Sequence, residues 1–188
     1  MILGAALRLF NRHGFTATSI ADLRNASGAS VGSIYHHFGG KEGVAAELYV
    51  RALQSYQQDV LELIRENPTA REGIDGIVHH HLEWVEQHPD QARFLLMRSP
   101  EVLLASKKRV RALNRVFFGE VFTWLDRQAS AGRIRKVPRH LIFTLVIGPS
   151  QELSREWLEG RVDDPLTSAA DLLADAAWYS IREGGEER

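Results

Sequence analysis

Two places in the chain concentrate side chains able to bind or react. Residues 29 to 43, ASVGSIYHHFGGKEG, set Ser33, Tyr35, His36, His37 and Lys41 among glycines, and His79-His80-His81 is followed by Trp84 and His88. Adjacent histidines on a helix diverge by about 100°, whereas two ligands on one helix sit at i and i+3 or i+4, so His36 and His37 do not suit one metal ion. Catalysis is no better served: no nearby acid orients either imidazole, and Ser33, four residues before His37, lacks an oxyanion arrangement. In the second cluster His81 and His88 lie two turns apart on one face, which keeps open a helical metal-binding protein or metal sensor using His79–His88, although no acidic ligand is well spaced there. The absence of cysteine excludes disulfides, thiolate metal sites and a cysteine nucleophile. No catalytic residue and no cofactor is implied.

The elements that carry these residues read as helices. Apolar residues recur at helical spacing almost throughout, and no segment sustains the strict alternation of a strand. A first helix from about Ile2 ends at Gly14, a second capped by Thr18 or Ser19 stops at Gly28, and a third is capped by Ser30. A long helix from Lys41 to about Glu66 stops before Asn67-Pro68. Further helices are expected at about 70–88, 90–98, 106–131, 138–159 and 165–183, with Asp90 an N-cap and Asp164-Pro165 a cap followed by proline. The longest apolar stretch, Leu141 to Gly148, is far below the roughly 20 residues of a membrane span, and no charged-then-apolar leader opens the chain. No membrane partner and a cytoplasmic location are expected.

Thr18 to Ala26 and Ser30 to Phe38, joined by a turn containing glycine, match a helix-turn-helix, whose second helix fits a major groove about 12 Å wide. Val31, Ile34 and Phe38 fall on one side, ready to pack on Leu23, Ile20 and Phe10, with Gly32, Ser33, His36 and His37 outward and Tyr35 on the flank. Spacing alone leaves two readings, a DNA face or a merely solvated helix. Charge leans toward the first: residues 1–45 carry a net +2 and the rest −3.

The run AALRLFNRHGFTATSIADLRNASGASVGSIYHHFGGKEGVAAELY resembles the DNA-binding domain of the TetR family of transcriptional regulators in order, spacing and residue type, over about residues 2 to 50. The resemblance implies an all-α protein of about nine helices: a three-helix helix-turn-helix DNA-binding domain at 1–45, and a helical effector-binding and dimerisation domain at 46–188. It implies a homodimeric one-component regulator, a repressor of a palindromic double-stranded DNA operator, that is not an enzyme and is released by a small effector. Thr18 and Ser19 would touch or position the DNA backbone, and Ser30, Ser33, Tyr35, His36 and Lys41 would line the DNA, with Tyr35 and Lys41 on phosphates and Ser33 nearer base edges. Gly32 would let the duplex come close. Val31 stands where many relatives carry a polar or basic residue, and no basic arm precedes the first helix.

In the remaining two thirds the residues carry the expectation. Leu141 to Ile147 is apolar nearly all round, and Gly148-Pro149 should kink that helix, releasing the Leu145 carbonyl for a ligand or Ser150. Leu166, Ala169, Ala170, Leu173, Ala176, Ala177 and Ile181 form a small-residue stripe. These helices, about 138–159 and 165–183, are expected to build a homodimer interface, against the alternative of an intramolecular pair. For an effector pocket the candidates are Trp84, Phe94, Phe117, Phe118, Phe122 and Phe143, with polar handles at His80 and Ser150, suiting a largely apolar or aromatic molecule. The basic run Lys107-Lys108-Arg109-Val110-Arg111 reads as a solvated helix end able to add phosphate contacts. The other rival is a helical interaction adaptor in which the helix-turn-helix is only scaffold.

Overall fold

The computed structural model describes residues 1–66, 69–96 and 99–184. Among them the chain forms ten α-helices and one 3-10 turn, with an isolated bridge between Ile134 and Arg182 in place of strands. In order the helices are α1 (Ile2–His13), α2 (Ile20–Ser27), α3 (Val31–Phe38), α4 (Lys41–Glu66), α5 (Ala70–Gln87), α6 (Pro89–Leu96), α7 (Pro100–Ser130), α8 (Arg139–Val146), α9 (Gly148–Leu158) and α10 (Ala170–Ile181), the last preceded by the 3-10 turn Leu166–Ala169. No described helix is long and apolar enough to cross a membrane.

Four boundaries depart from expectation. α6 begins at Pro89, so Asp90, expected as its N-cap, lies inside the first turn. α7 begins at Pro100 rather than near 106, because proline suits the first helical turn and Glu101 in that turn accepts from the Ser99 hydroxyl at 2.7 Å. The helix expected at 138–159 divides at Ile147: Pro149 has no N–H to return to Leu145, so α9 starts afresh with that proline in its first turn. Asp164 does not cap the last helix; Pro165 opens the 3-10 turn instead. The expected stop at Asn67-Pro68 lies outside the described residues.

The chain divides into two compact units. The first comprises Met1–Tyr56 and His88–Asn114. Its core gathers Ala6 and Phe10 of α1, Phe15, Leu23 of α2, Ile34 of α3 and Val44 of α4, together with Phe94 of α6 and Val102 of α7. Each large apolar side chain so buried contributes roughly 1.5–3 kcal/mol. Residues 1–45 therefore lie inside a larger body, because α6 and α7 complete their core. Two glycines set the frame. Gly28, at φ 71°, ends α2 in the left-handed region with its N–H on the Arg24 carbonyl at 2.9 Å, and a Cβ on Gly43 would fall 1.6 Å from the Phe38 carbonyl oxygen, so α4 meets α3 only without a side chain there.

The second unit comprises Gln57–Gln87 and the residues from Arg115 onward. α5 is its central helix, with Ile74, Ile77, Val78, Leu82, Trp84 and Val85 buried, and it packs on α10 and α9. α10 lays Ala170, Ala174, Ala177 and Ile181 inward, small side chains that allow close approach to α5. Part of the stripe expected to meet a second subunit is thus consumed within the chain. The outer face of α10 instead carries Leu172 and Tyr179, both exposed.

Candidate nucleic-acid interface

α3 stands on Ile34, which is fully buried, with Phe38 partly buried on the same side. Val31, expected inward with them, is 39% exposed. As the first residue of the helix it projects past the packed layer and joins the outer face. That face carries Val31, Gly32, Tyr35 at 53% exposure, His36 and His37, with Ser33 half-buried at its edge. The rings of His36 and His37 meet edge-on at 5.0 Å. No acidic residue occurs in α3, so its N-terminal N–H groups meet an approaching anion without opposition from the helix itself.

The caps hold this helix pair in place. Ser30 accepts the Ser33 N–H at 3.1 Å, and Ser19 closes a reciprocal box with Asp22, whose backbone N–H donates to the Ser19 hydroxyl oxygen at 3.2 Å. The Ser19 hydroxyl, then its backbone N–H, holds the Asp22 carboxyl below the ordinary range. That fixed negative charge makes the start of α2 a poorer phosphate site than the start of α3. Thr18 is buried and its hydroxyl donates to the Gly14 carbonyl at 2.8 Å, so its contribution runs through the loop it braces.

Lys41 is engaged in the fold. Its ammonium donates to the carbonyls of Phe15 at 2.9 Å and Thr16 at 3.3 Å and rests 4.4 Å from the Phe15 ring centre. Three N–H groups less two bonds leaves one donor for an outside anion. Ser19, Ser30, Val31, Gly32, Tyr35 and His36 are thus exposed, Ser33 and Lys41 partly so, and Thr18 is withdrawn.

Sequence reasoning took the basic run of α7 as able to add phosphate contacts but missed how the start of that helix is anchored. Glu101 in its first turn accepts from the Thr16 hydroxyl at 3.3 Å, anchoring α7 to the α1–α2 loop. Lys107, Lys108, Arg109 and Arg111 then belong to the same compact unit as α3. That unit holds eleven arginines and lysines against five carboxylates, a net +6, whereas the second holds twelve against nineteen, a net −7. Counting along residues 1–45 finds only +2, because the other basic residues arrive through tertiary structure.

The effector candidates separate into groups. Phe94 belongs to the first unit, stacked on Phe10 at 5.9 Å. Phe117, Phe118 and Phe122 form a half-buried ladder on α7, with Phe118 and Phe122 stacked at 5.7 Å and Arg139 4.8 Å over Phe122. Phe143 is 42% exposed on α8. Trp84 is buried on α5, where His80 faces Asp59 at 3.8 Å. Ser150, 1% exposed, has a hydroxyl with no hydrogen-bond partner, so it does not satisfy the Leu145 carbonyl. Beside it Ser154 donates to the Ser150 carbonyl at 2.8 Å and stands 3.4 Å from His81 Nε2. Burial, with the His80 charge second, pushes His81 down to about 4, leaving a neutral ring at pH 7. His79 meets Asp171 at 3.2 Å, and His88 falls in the first unit; among the described residues no group of three or more His, Cys, Asp or Glu is placed to hold a metal ion.

Residues 2–48 match the family model of bacterial regulatory proteins of the tetR family. Among curated proteins the chain is 35% identical over 78 residues to the HTH-type transcriptional regulator LmrA of Bacillus subtilis, covering 41% of this chain and 42% of that one. It is 27% identical over 108 residues to the HTH-type transcriptional repressor KstR2 of Mycobacterium tuberculosis, covering 57% and 53%. The matches thus span about half the length of these relatives. Among solved structures, a TetR family regulator from Marinobacter aquaeolei superposes with a TM-score of 0.80 at 22% identity, covering 97% of this chain and 94% of that one. FadR of Bacillus subtilis in complex with stearoyl-CoA gives 0.80 at 16%, covering 94% and 95%. At these identities the superpositions establish the fold.

Proposed function

We propose, from the match of residues 2–48 to the tetR family of bacterial regulatory proteins and from the shared fold, that the chain is a one-component transcriptional repressor. Residues 1–45 read a palindromic operator, and the remainder binds an effector and a second copy of the chain. The observation that carries the DNA reading is the acid-free outer face of α3, mounted on the buried Ile34 inside a unit of net charge +6. In this reading Tyr35 and the last donor of Lys41 take phosphates, while Ser33 and His36 reach base edges and Val31 meets a thymine methyl. Ser19 and Ser30 hold the helix starts, and Gly32 admits the duplex.

Two recognition helices about 34 to 36 Å apart would read half-sites one turn apart, which requires a two-fold dimer. Exposed Leu141, Phe143, Leu172 and Tyr179 on α8 and α10 support an interface within about 138–159 and 165–183. The effector is small and largely apolar or aromatic. The unpartnered Ser150 hydroxyl and the neutral His81 favour an uncharged hydrogen-bonding group on it. FadR of the same fold holds stearoyl-CoA, whose long acyl chain is apolar although its coenzyme A head is polar and charged. Release needs only that the effector prefer one conformation, transmitted along α4, which runs continuously from one unit into the other. No covalent chemistry is needed, and a DNA partner is in keeping with a cytoplasmic location.

Fluorescence anisotropy with the intergenic DNA beside its own gene, at about 0.1 M salt, tests the reading. Tyr35→Ala is expected to weaken binding about tenfold, equivalent to the loss of one charge-assisted hydrogen bond. Unchanged affinity would refute the contact assignment, and no binding to any duplex at low salt would favour the adaptor.

A further inference from the structure

Within the first unit, α1, α4 and α6 leave a cleft of about 400 Å³ that the DNA reading does not use. Its apolar walls come from all three helices: Leu3 and Leu7, Leu48, and Phe94. That volume lies in the range of small-molecule sites. What distinguishes it from a plain gap between helices is the charge at its edge. Arg51, which lines the cleft, donates through Nε to one oxygen of Glu47 at 2.5 Å, and Arg109 donates to the other oxygen at 2.7 Å. Two guanidinium charges share one carboxylate, and no carboxylate is among the residues lining the cleft. The trio thus carries one net positive charge, of which Arg51 alone lines the cleft, and the terminal nitrogens of Arg51 are suited to a carboxylate.

We infer that this cleft is a ligand site for an amphipathic monoanion, a medium-chain aliphatic carboxylate, with its chain on Leu3, Leu7, Leu48 and Phe94 and its head on Arg51. A cation is opposed by the local charge, and a neutral alcohol leaves that charge unused. The site is separate from the effector site proposed in the second unit and does not depend on the operator reading.

Isothermal titration calorimetry of the full chain with decanoate, decanol and decylammonium, each below its aggregation concentration, tests the inference without DNA. Decanoate is expected to bind once per chain, with the alcohol and the amine at least about tenfold weaker. Ser55 also lines the cleft and, like Arg51, is solvent-exposed, so substitution at either position leaves the core intact. Ser55→Phe, which fills the cleft, and Arg51→Gln should each weaken decanoate about tenfold or more, and Arg51→Lys, which keeps the charge but not the paired donors, should recover only part of that loss. Decanoate binding that persists undiminished in both Ser55→Phe and Arg51→Gln would place it elsewhere in the chain and overturn the assignment. So would equal affinity for decanol, or no binding of decanoate at all. Each of these failures leaves the operator result untouched.

Discussion

The first unit carries a net +6 and the second −7, in a chain whose total is −1. They also treat polar groups differently. In the first, the helix starts are capped by Ser19 and Ser30, and the Lys41 ammonium is seated on two carbonyls. In the second, His81 is buried and neutral beside the orphaned hydroxyl of Ser150. A basic body with capped helix starts suits a rigid surface offered to a polyanion, and the acidic remainder would be repelled from the same polyanion. A buried polar group without a partner is costly to leave unmade, so a ligand that bonds the Ser150 hydroxyl would stabilise the second unit.

The two units can be observed separately, because all four tryptophans (Trp84, Trp124, Trp157 and Trp178) lie in the second. The largest expected effect is from Ile34→Ala, which empties a fully buried site in the first unit and should destabilise it by about 2–5 kcal/mol. Operator binding should fail with it. Helicity followed by circular dichroism should then be lost before tryptophan fluorescence changes; coincident transitions would mean that the units unfold together, and the contrast drawn between them would have no energetic counterpart.

Next comes pH. The folded-state value of His81, about 4, is below its ordinary 6.5, so the unfolded chain takes up a proton first as pH falls. The contribution to stability is complete above about 6.5, declines between 6.5 and 4, and changes no further below 4; at most it amounts to about 3 kcal/mol. Urea unfolding followed by tryptophan fluorescence should reveal this slope, and His81→Gln should flatten it. An unchanged slope in that variant would assign the acid sensitivity to other groups.

The smallest expected effect is from Ser30→Ala, which removes the cap of α3 and should lower stability by about 1 kcal/mol. Faster amide exchange at Ser33 would localise the loss to the start of the recognition helix. An equal rise in exchange in α5 would contradict the separation of the units.

Much of the DNA-facing segment was legible in the chain because its signals are local. Ser19 with Asp22, Gly28, Ser30 and the apolar spacing of Ile34 and Phe38 act within a turn or two, and each produced the expected helix end or buried face. Val31 shows where periodicity fails: at a helix's first residue, angular position does not say whether a neighbour extends far enough to cover it. Lys41 shows a second limit, since its carbonyl partners in Phe15 and Thr16 are 26 and 25 residues away. The start of α7 was missed although Ser99-Pro100-Glu101 carries a readable opening signal, proline in the first turn with an acid beside it.

The sequence by itself determined the helical class, the helix-turn-helix and most of its outward side chains, Val31 excepted, because capping, proline placement and the 3.6-residue period operate between near neighbours. Only the tertiary structure decided that Phe94 and Val102 finish the first core, that the α10 alanines are taken up by α5, that the basic run of α7 adds its charge to α3's unit, and that Glu47 is shared by Arg51 and Arg109. Each of these brings together residues tens of positions apart, and a pattern along the chain does not specify which of several similar helix faces will meet.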